Sequence, residues 1–497
     1  MTLEQLTGQL IWGGWGGQGG EPTQYDAHAR FLVEDLQAGG IVLLGRNLES
    51  PVQIAELTRT LQERAQRPLL IGIDQEGGRI CRLPLPGFTF PGSRALGAID
   101  KPDVTREVSR AIGEQLLALG VNVDFSPTLD INNNPRNPII GVRAFAEDAV
   151  TVTRHGVAAI EGFREAGIMP VVKHFPGHGD TSGDSHLELP CLPVTRERLE
   201  EVELVPFRAA IAAGAPAVMT THILFPALDP QLPSTLSPRI LNGLLRTELG
   251  FDGLVVTDCL EMKGVADHWS PEEVAVLAIE AGADTLLVCH TRETQARMHD
   301  ALTAAVRDGR LSEERIARSV ARIERARSGV PAGPRQPARV GSSEYQRLEQ
   351  QVAEASLSLV GKANGTGLPK GWDPRQGIVV AGDSEVSEDL VAELKQLGVR
   401  AETGNWPLSP KSVAEAPQFV WTALPNSPFP DGAPSSELVG LLAQHPRAVV
   451  VAAREHYLLA NYPQSVARLA AWGNRQPNLH AVARWLAGEI EPRSLRL

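Results

Sequence analysis

Cysteine is scarce in this chain. The 497 residues include four, Cys81, Cys191, Cys259 and Cys289, and no two stand in C-x-x-C spacing. Neither a zinc ribbon nor a disulfide framework is suggested, and a reducing compartment fits. An excess of positive charge is also missing: 47 Lys and Arg face 59 Asp and Glu, a net charge of −12. That balance argues against a nucleic-acid or anionic-membrane surface. No apolar run approaches the roughly 20 residues that a membrane-spanning helix needs. The segment Met1 to Leu6 carries Glu4 where a secretory leader would have its basic region, so a cytoplasmic protein is expected. Phosphate-binding glycine loops are absent in strand-to-helix context, as is a His-Glu-x-x-His pair. What remains is a globular composition, 42% hydrophobic and 21% charged, in a chain too long for one ordinary core.

From residue 8 to about 290, short runs rich in Val, Ile and Leu alternate with helical patterns. Strands are expected at Gly8 to Trp12, Gly40 to Leu44, Leu69 to Ile73, Val121 to Phe125, Ile168 to Val172, Ala217 to Thr221, Leu254 to Thr257 and Thr285 to Val288. Helices are expected at Gln53 to Arg67, Val104 to Leu119, Ala149 to Ala166, Arg196 to Ala213, Pro238 to Leu249 and Leu311 to Arg327. Eight strand-helix units predict an α/β fold, a (β/α)8 TIM-like barrel over residues 1–327. A Pro/Gly-rich linker at 328–343 leads to a smaller α/β domain, an αβα sandwich over 344–497, with strands at Gly377 to Ala381, Phe419 to Thr422 and Ala448 to Ala452. No dense cluster of ionisable groups stands out there, so packing, rim formation or assembly is its expected role.

Ionisable residues fall at the carboxyl ends of the expected barrel strands: Arg46, Asp74, Asp130, Lys173 with His174, His222, Asp258 and His290. A closed barrel would bring them to one mouth. The densest stretch runs from Lys173-His174 through His178 and Asp180 to Asp184-Ser185-His186, in a segment too rich in Gly and Pro for a helix. It reads as an active-site loop, with Lys173 and His174 where a strand gives way to it. A solvated turn is the plainer reading. His178, Asp180, Asp184 and His186 could instead be metal ligands, but no Cys pair or helical His pair completes a tetrahedral set. Asp74 precedes Gln75-Glu76-Gly77-Gly78-Arg79, a turn able to fix its carboxylate; N-capping is the alternative. Asp258 leaves an apolar strand, where a carboxylate is expensive to desolvate without partners or chemistry. Cys259 beside it reads as a small buried filler.

Together these motifs resemble the family 3 glycoside hydrolases, in the β-N-acetylglucosaminidase branch that trims N-acetylglucosamine from peptidoglycan fragments. The resemblance covers about residues 8–325 densely and the second domain only in layout. It implies Asp258 as nucleophile, His186 as general acid/base and Asp184 as its partner. It also implies that Asp74, Arg82, Arg143, Lys173 and His174 grip the hydroxyls of the terminal sugar. An enzyme without metal or organic cofactor follows, acting on a carbohydrate by double displacement, with no nucleic-acid or membrane partner, as a monomer or weak homo-oligomer. A phosphorylase using the same site is the alternative within the enzyme class, and a non-catalytic sugar-binding scaffold the alternative outside it.

Overall fold

In the computed structural model the described residues are 1–497 except 18, 185–186, 335, 361–366, 405–409, 424–433 and 496–497. Eight parallel strands form the first sheet: β1 (Ile11–Gly13), β2 (Gly40–Leu43), β3 (Leu70–Ile73), β4 (Val123–Asp124), β5 (Met169–Phe175), β6 (Ala217–Thr220), β7 (Leu254–Val256) and β8 (Leu286–Val288). Their order is β7-β6-β5-β4-β3-β2-β1-β8. A bridge between Val256 and Thr285 joins the two ends, so the sheet is a nearly closed barrel. Thr257 N donates to Thr285 O at 3.0 Å and Leu260 N to Leu287 O at 2.9 Å across that seam. The strands are buried on both faces because helices cover the outside and side chains fill the inside. Trp12 and Phe125 fill much of that interior, their ring centroids 6.4 Å apart. A Cβ on Gly40 would lie 2.6 Å from the Trp12 ring, and one on Gly72 2.6 Å from the Phe125 ring. The small residues make room for the large ones.

Three expectations are corrected. The first strand does not begin at Gly8, because Leu3–Gln9 is a helix closed by a reciprocal cap between Thr2 and Gln5. The stretch from Arg196 to Ala213 is two helices, Arg196–Glu201 and Leu204–Ala212. Pro206, which has no N–H, then sits in the first turn of the second helix, where none is needed. Lys173 and His174 are not where strand gives way to loop; β5 runs through both. Lys173 N donates to Pro127 O and Lys173 O accepts from Leu129 N, so the segment after β4 extends the pairing past the expected end.

The second domain is a seven-stranded sheet among the described residues: β9 (Ser358–Val360), β10 (Ile378–Gly382), β11 (Ala401–Thr403), β12 (Phe419–Ala423), β13 (Ala448–Ala452), β14 (Ala467–Ala470) and β15 (Arg493–Leu495). The order is β11-β10-β12-β13-β14-β9-β15, parallel except for the β14–β9 pair. The connecting chain is strapped to the barrel: Asn122 donates to Pro331 O at 3.0 Å, and Val330 packs on the barrel core. In the helix Ser343–Ser356, the buried Glu349 carboxylate accepts from Gly87 N (2.8 Å), Thr89 N (2.6 Å) and Thr89 Oγ1 (2.8 Å). Tyr345 reaches Glu114 at 2.7 Å.

Candidate active site at the barrel mouth

A cavity of about 410 Å3 opens at the carboxyl ends of the barrel strands, lined among others by Arg46, Asp74, Arg82, Phe125, Asp258 and His290. Its volume lies within the roughly 300–1,000 Å3 of small-molecule sites. Four strand-end residues singled out from the sequence therefore meet in one place. A fifth, His222, does not line it: the ring is fully buried, bonded to Thr235 Oγ1 at 2.9 Å and to Cys259 O at 3.0 Å. A second cavity of about 370 Å3 includes Arg322 and Arg325, which already pair with Asp252 in its lining at 3.0 and 2.9 Å. It lies away from the strand ends where barrel chemistry collects.

The side of the mouth formed by β3 to β5 is an ionic lattice. Lys173 Nζ is 1% exposed as a residue and lies 2.8 Å from Asp74 Oδ1 and 2.7 Å from Glu76 Oε1. Arg143 meets both oxygens of Glu76, at 2.8 and 2.9 Å, and Arg82 reaches Asp74 at 3.2 Å. Burial opposes ionisation of both carboxyls, but Lys173 with Arg82 holds Asp74 below its usual range, and Arg143 with Lys173 does the same for Glu76. Burial likewise opposes the charged form of Lys173, and the two carboxylates outweigh it to raise its pKa. The result is a set of fixed charges with little freedom to reorganise.

Behind it stands Asp130, buried under His174. His174 Nδ1 is 2.6 Å from Asp130 Oδ2, while His178 N donates to Asp130 Oδ1 at 2.7 Å. Burial opposes the charge on Asp130, and the facing His174 outweighs it to hold the carboxyl below its usual range. The loop beyond is clamped by Asn137 Nδ2, which donates to His178 O (2.7 Å) and Gly179 O (3.0 Å). His178 packs inside with its Nδ1 2.9 Å from Thr181 Oγ1, and burial pushes its pKa down to about 4. Asp180 lies 3.5 Å from Arg198. Asp184 accepts from Leu187 N and Glu188 N through its main-chain oxygen, and its charge is felt at Arg79. His186 lies outside the described residues.

Asp258 stands opposite, at the exit of β7, with Cys259 N donating to its Oδ1 at 2.7 Å. The structure thus brings Asp74, Arg82 and Asp258 to the cavity and ties Lys173, and through Glu76 Arg143, to the Asp74 carboxylate in its wall, while His174 is held by Asp130. Two members were missing from the residues assigned to the site by sequence. Glu76 is the hub that holds Lys173 and Arg143, and its signal was its place two residues after Asp74 in the same turn. Asp130 was seen at a strand end, without the information that two histidine segments would fold onto it.

The second domain touches the turn that carries Arg143. Glu455 Oε1 accepts from Val142 N at 3.2 Å, in the turn that carries Arg143. Gly141 there has φ +46°, and a Cβ on it would lie 2.2 Å from Glu455 Oε1, so this contact requires glycine. Tyr457 bonds Asn132 Nδ2 at 3.0 Å and Glu147 at 2.9 Å. These contacts pack the second domain against the loops of the barrel.

The barrel mouth thus combines carboxylates with a buried lattice of paired charges. Residues 2–326 match the glycosyl hydrolase family 3 N-terminal domain. Beta-hexosaminidase A of Pseudoalteromonas piscicida is 36% identical over 364 residues, which are 66% of this chain and 60% of that protein. A beta-hexosaminidase of Alkalilimnicola ehrlichii is 39% identical over 280 residues, 55% of this chain and 80% of that protein. A family 3 β-N-acetylglucosaminidase structure from Paenibacillus sp. superposes with TM-score 0.89 at 39% identity, covering 99% of this chain and 98% of that one. The chain belongs to glycosyl hydrolase family 3, in its β-hexosaminidase branch.

Proposed function

We propose that the protein removes terminal, non-reducing β-linked N-acetylglucosamine from peptidoglycan-derived or chito-oligosaccharide fragments, with retention of configuration. The observation that carries this reading is the shared cavity: Asp258 faces it from β7, and Asp74, anchored by Lys173 and Arg82, faces it from β3. Asp74, Arg82, Arg143, Lys173 and His174 hold the sugar hydroxyls. Charged donors and acceptors locked by one another bind hydroxyls without having to reorganise.

Asp258 attacks the anomeric carbon and forms a glycosyl-enzyme, while His186 protonates the leaving oxygen. Asp184 holds the His186 imidazole in one tautomer and raises its basicity, as the acid does in hydrolase triads. Water, deprotonated by His186, then releases the sugar. The assignment of His186 and Asp184 rests on the resemblance of Asp184-Ser185-His186 to the family's loop. We assign this chemistry to residues 1–327, joined by 328–343 to the supporting domain 344–497. The four free cysteines support a cytoplasmic setting. Among the described residues no helix is long and apolar enough to cross a membrane.

The test is turnover of an aryl β-N-acetylglucosaminide against the aryl β-glucoside, with and without phosphate. A strong preference for the first, unaltered by phosphate, is expected. Equal rates on both would refute the sugar assignment, and a phosphate-dependent glycosyl phosphate product would move the enzyme to phosphorolysis. His186→Ala should slow substrates with basic leaving groups more than activated aryl substrates; equal slowing would leave His186 a binding residue.

A further inference from the structure

Between Asp74 and Glu76, in the turn after β3, Gln75 is fully buried. A buried amide has to be hydrogen-bonded, and its bonds show what it holds. Gln75 Oε1 accepts from Arg82 N at 2.9 Å, and Gln75 Nε2 donates to Phe88 O at 3.2 Å. Its backbone N–H donates to Asp124 Oδ1 at 2.9 Å. Asp124 ends β4, where it pairs with Ile73 of β3. One residue thus ties the segment of Arg82 to the turn of Asp74 and Glu76, and ties both to the neighbouring strand.

Asp124 is 0% exposed, and its Oδ2 has no hydrogen-bond partner among the described residues. An ionised carboxylate with one bare oxygen in such a place is costly, and a neutral carboxyl much less so. The charged groups facing it are Lys173 from β5 and Asp74 and Glu76 from the turn. Lys173 Nζ is held by Asp74 and Glu76, at 2.8 and 2.7 Å. Burial outweighs the bond from Gln75 N and the pull of Lys173, and pushes the Asp124 carboxyl well above its usual range.

We propose that Gln75 and Asp124 are the positioning residues of the sugar grip, with Asp124 acting as a neutral carboxylic acid. The inference rests on the hydroxyl-binding roles proposed above for Asp74, Arg82, Arg143 and Lys173. As an acid, Asp124 still offers one oxygen to Gln75 N and adds no negative charge beside the two carboxylates already present. An ionised Asp124 would compete for the Lys173 ammonium, and a Lys173 drawn toward it would loosen Asp74 and Glu76 together. A neutral one leaves Lys173 to those two partners.

The experiment measures aryl β-N-acetylglucosaminide kinetics and denaturant unfolding for the parent and three variants. Asp124→Ala and Gln75→Met each remove a bond that fixes the turn, and should raise KM by about tenfold while kcat changes by less than about threefold. Asp124→Asn keeps the acceptor for Gln75 N and cannot ionise, so it should restore KM to within about threefold of the parent. Unfolding supplies a second readout. An acid kept neutral by the fold loses stability as pH rises above its unfolded value near 3.9, and asparagine has no such loss. The denaturant midpoint of Asp124→Asn should therefore climb relative to the parent as pH goes from about 5 to about 8.

A constant offset between those two midpoints would overturn the neutral acid, as would an Asp124→Asn whose KM is as poor as that of Asp124→Ala. Parent-like KM in both Asp124→Ala and Gln75→Met, or a loss confined to kcat, would overturn the positioning role. Should Asp124→Ala fail to fold, Gln75→Met and Asp124→Asn decide the same questions. The unfolding comparison needs no substrate, so a parent inactive on this glycoside would refute the sugar reading and leave the state of Asp124 to be decided by its midpoints.

Discussion

The two sides of the barrel mouth are built on different principles. On the β3 to β5 side, Asp74, Glu76, Arg143 and Lys173 neutralise one another at 2.7–2.9 Å, with side chains 2% exposed at Glu76 and Lys173. On the β7 to β8 side, Asp258 and Cys259 are half-buried and His290 is exposed. A lattice of buried charges cannot lose a member cheaply, so it suits the invariable task of gripping a sugar ring. A carboxylate that must form and break a covalent bond is better left outside that lattice, where a backbone N–H orients it.

The largest effect should come from the reacting side. Asp258→Ala is expected to lower kcat on an unactivated substrate by about 10^4-fold with the fold intact. A 2-deoxy-2-fluoro or 5-fluoro glycosyl donor should label Asp258 in the parent enzyme. An unlabelled peptide, together with turnover retained in the variant, would assign the nucleophile to the substrate's own acetamido group.

The lattice side should respond in stability. Glu76→Gln leaves Lys173 and Arg143 facing each other without their shared counter-charge, and a loss of about 3–5 kcal/mol in unfolding free energy is expected. Asp258→Asn should cost far less in the same denaturant titration. Similar losses for both variants would erase the contrast between the two sides.

Next comes pH. Burial holds His178 down to about 4, well under the ordinary histidine value near 6.5. Its neutral form is thus favoured by folding, so the contribution is complete above about pH 6.5 and is lost as pH falls toward 4. The melting temperature should drop through that window, by the equivalent of up to about 3 kcal/mol, and His178→Gln should flatten the drop. An unchanged profile in the variant would place the acid sensitivity elsewhere, with buried His456, at about 3, the next group to test.

The smallest effect should come from the contact between the domains. Glu455→Gln weakens the bond to Val142 N that holds the Arg143 turn, and about 1 kcal/mol with a few-fold rise in KM is expected. An increase confined to kcat would mean that the second domain touches the reaction rather than the grip.

Much of this was legible in the chain. The helix Ala149–Ala166 and the strand Ala448–Ala452 were placed to the residue, because each combines an unbroken periodic pattern with clear stop signals. The strand-end convergence was also readable, since side chains just after parallel strands must share a mouth once the sheet closes. The miss at Lys173 and His174 has a specific cause. Gly and Pro beyond them signal a loop, but pairing with the 127–129 segment, far away in sequence, keeps them in the strand.

The sequence by itself determined the eightfold strand-helix repeat, the family motifs and the side-chain types at each strand end, because these depend on local periodicity and spacing. Only the tertiary structure decided that Glu76 joins Lys173 and Arg143, that Asp130 serves two histidine segments, and that Glu455 reaches the Arg143 turn from another domain. Each of those pairs links residues separated by 44 to over 300 positions. Their partnership follows from barrel closure and domain docking, which bring strand ends within hydrogen-bond reach whatever their distance along the chain.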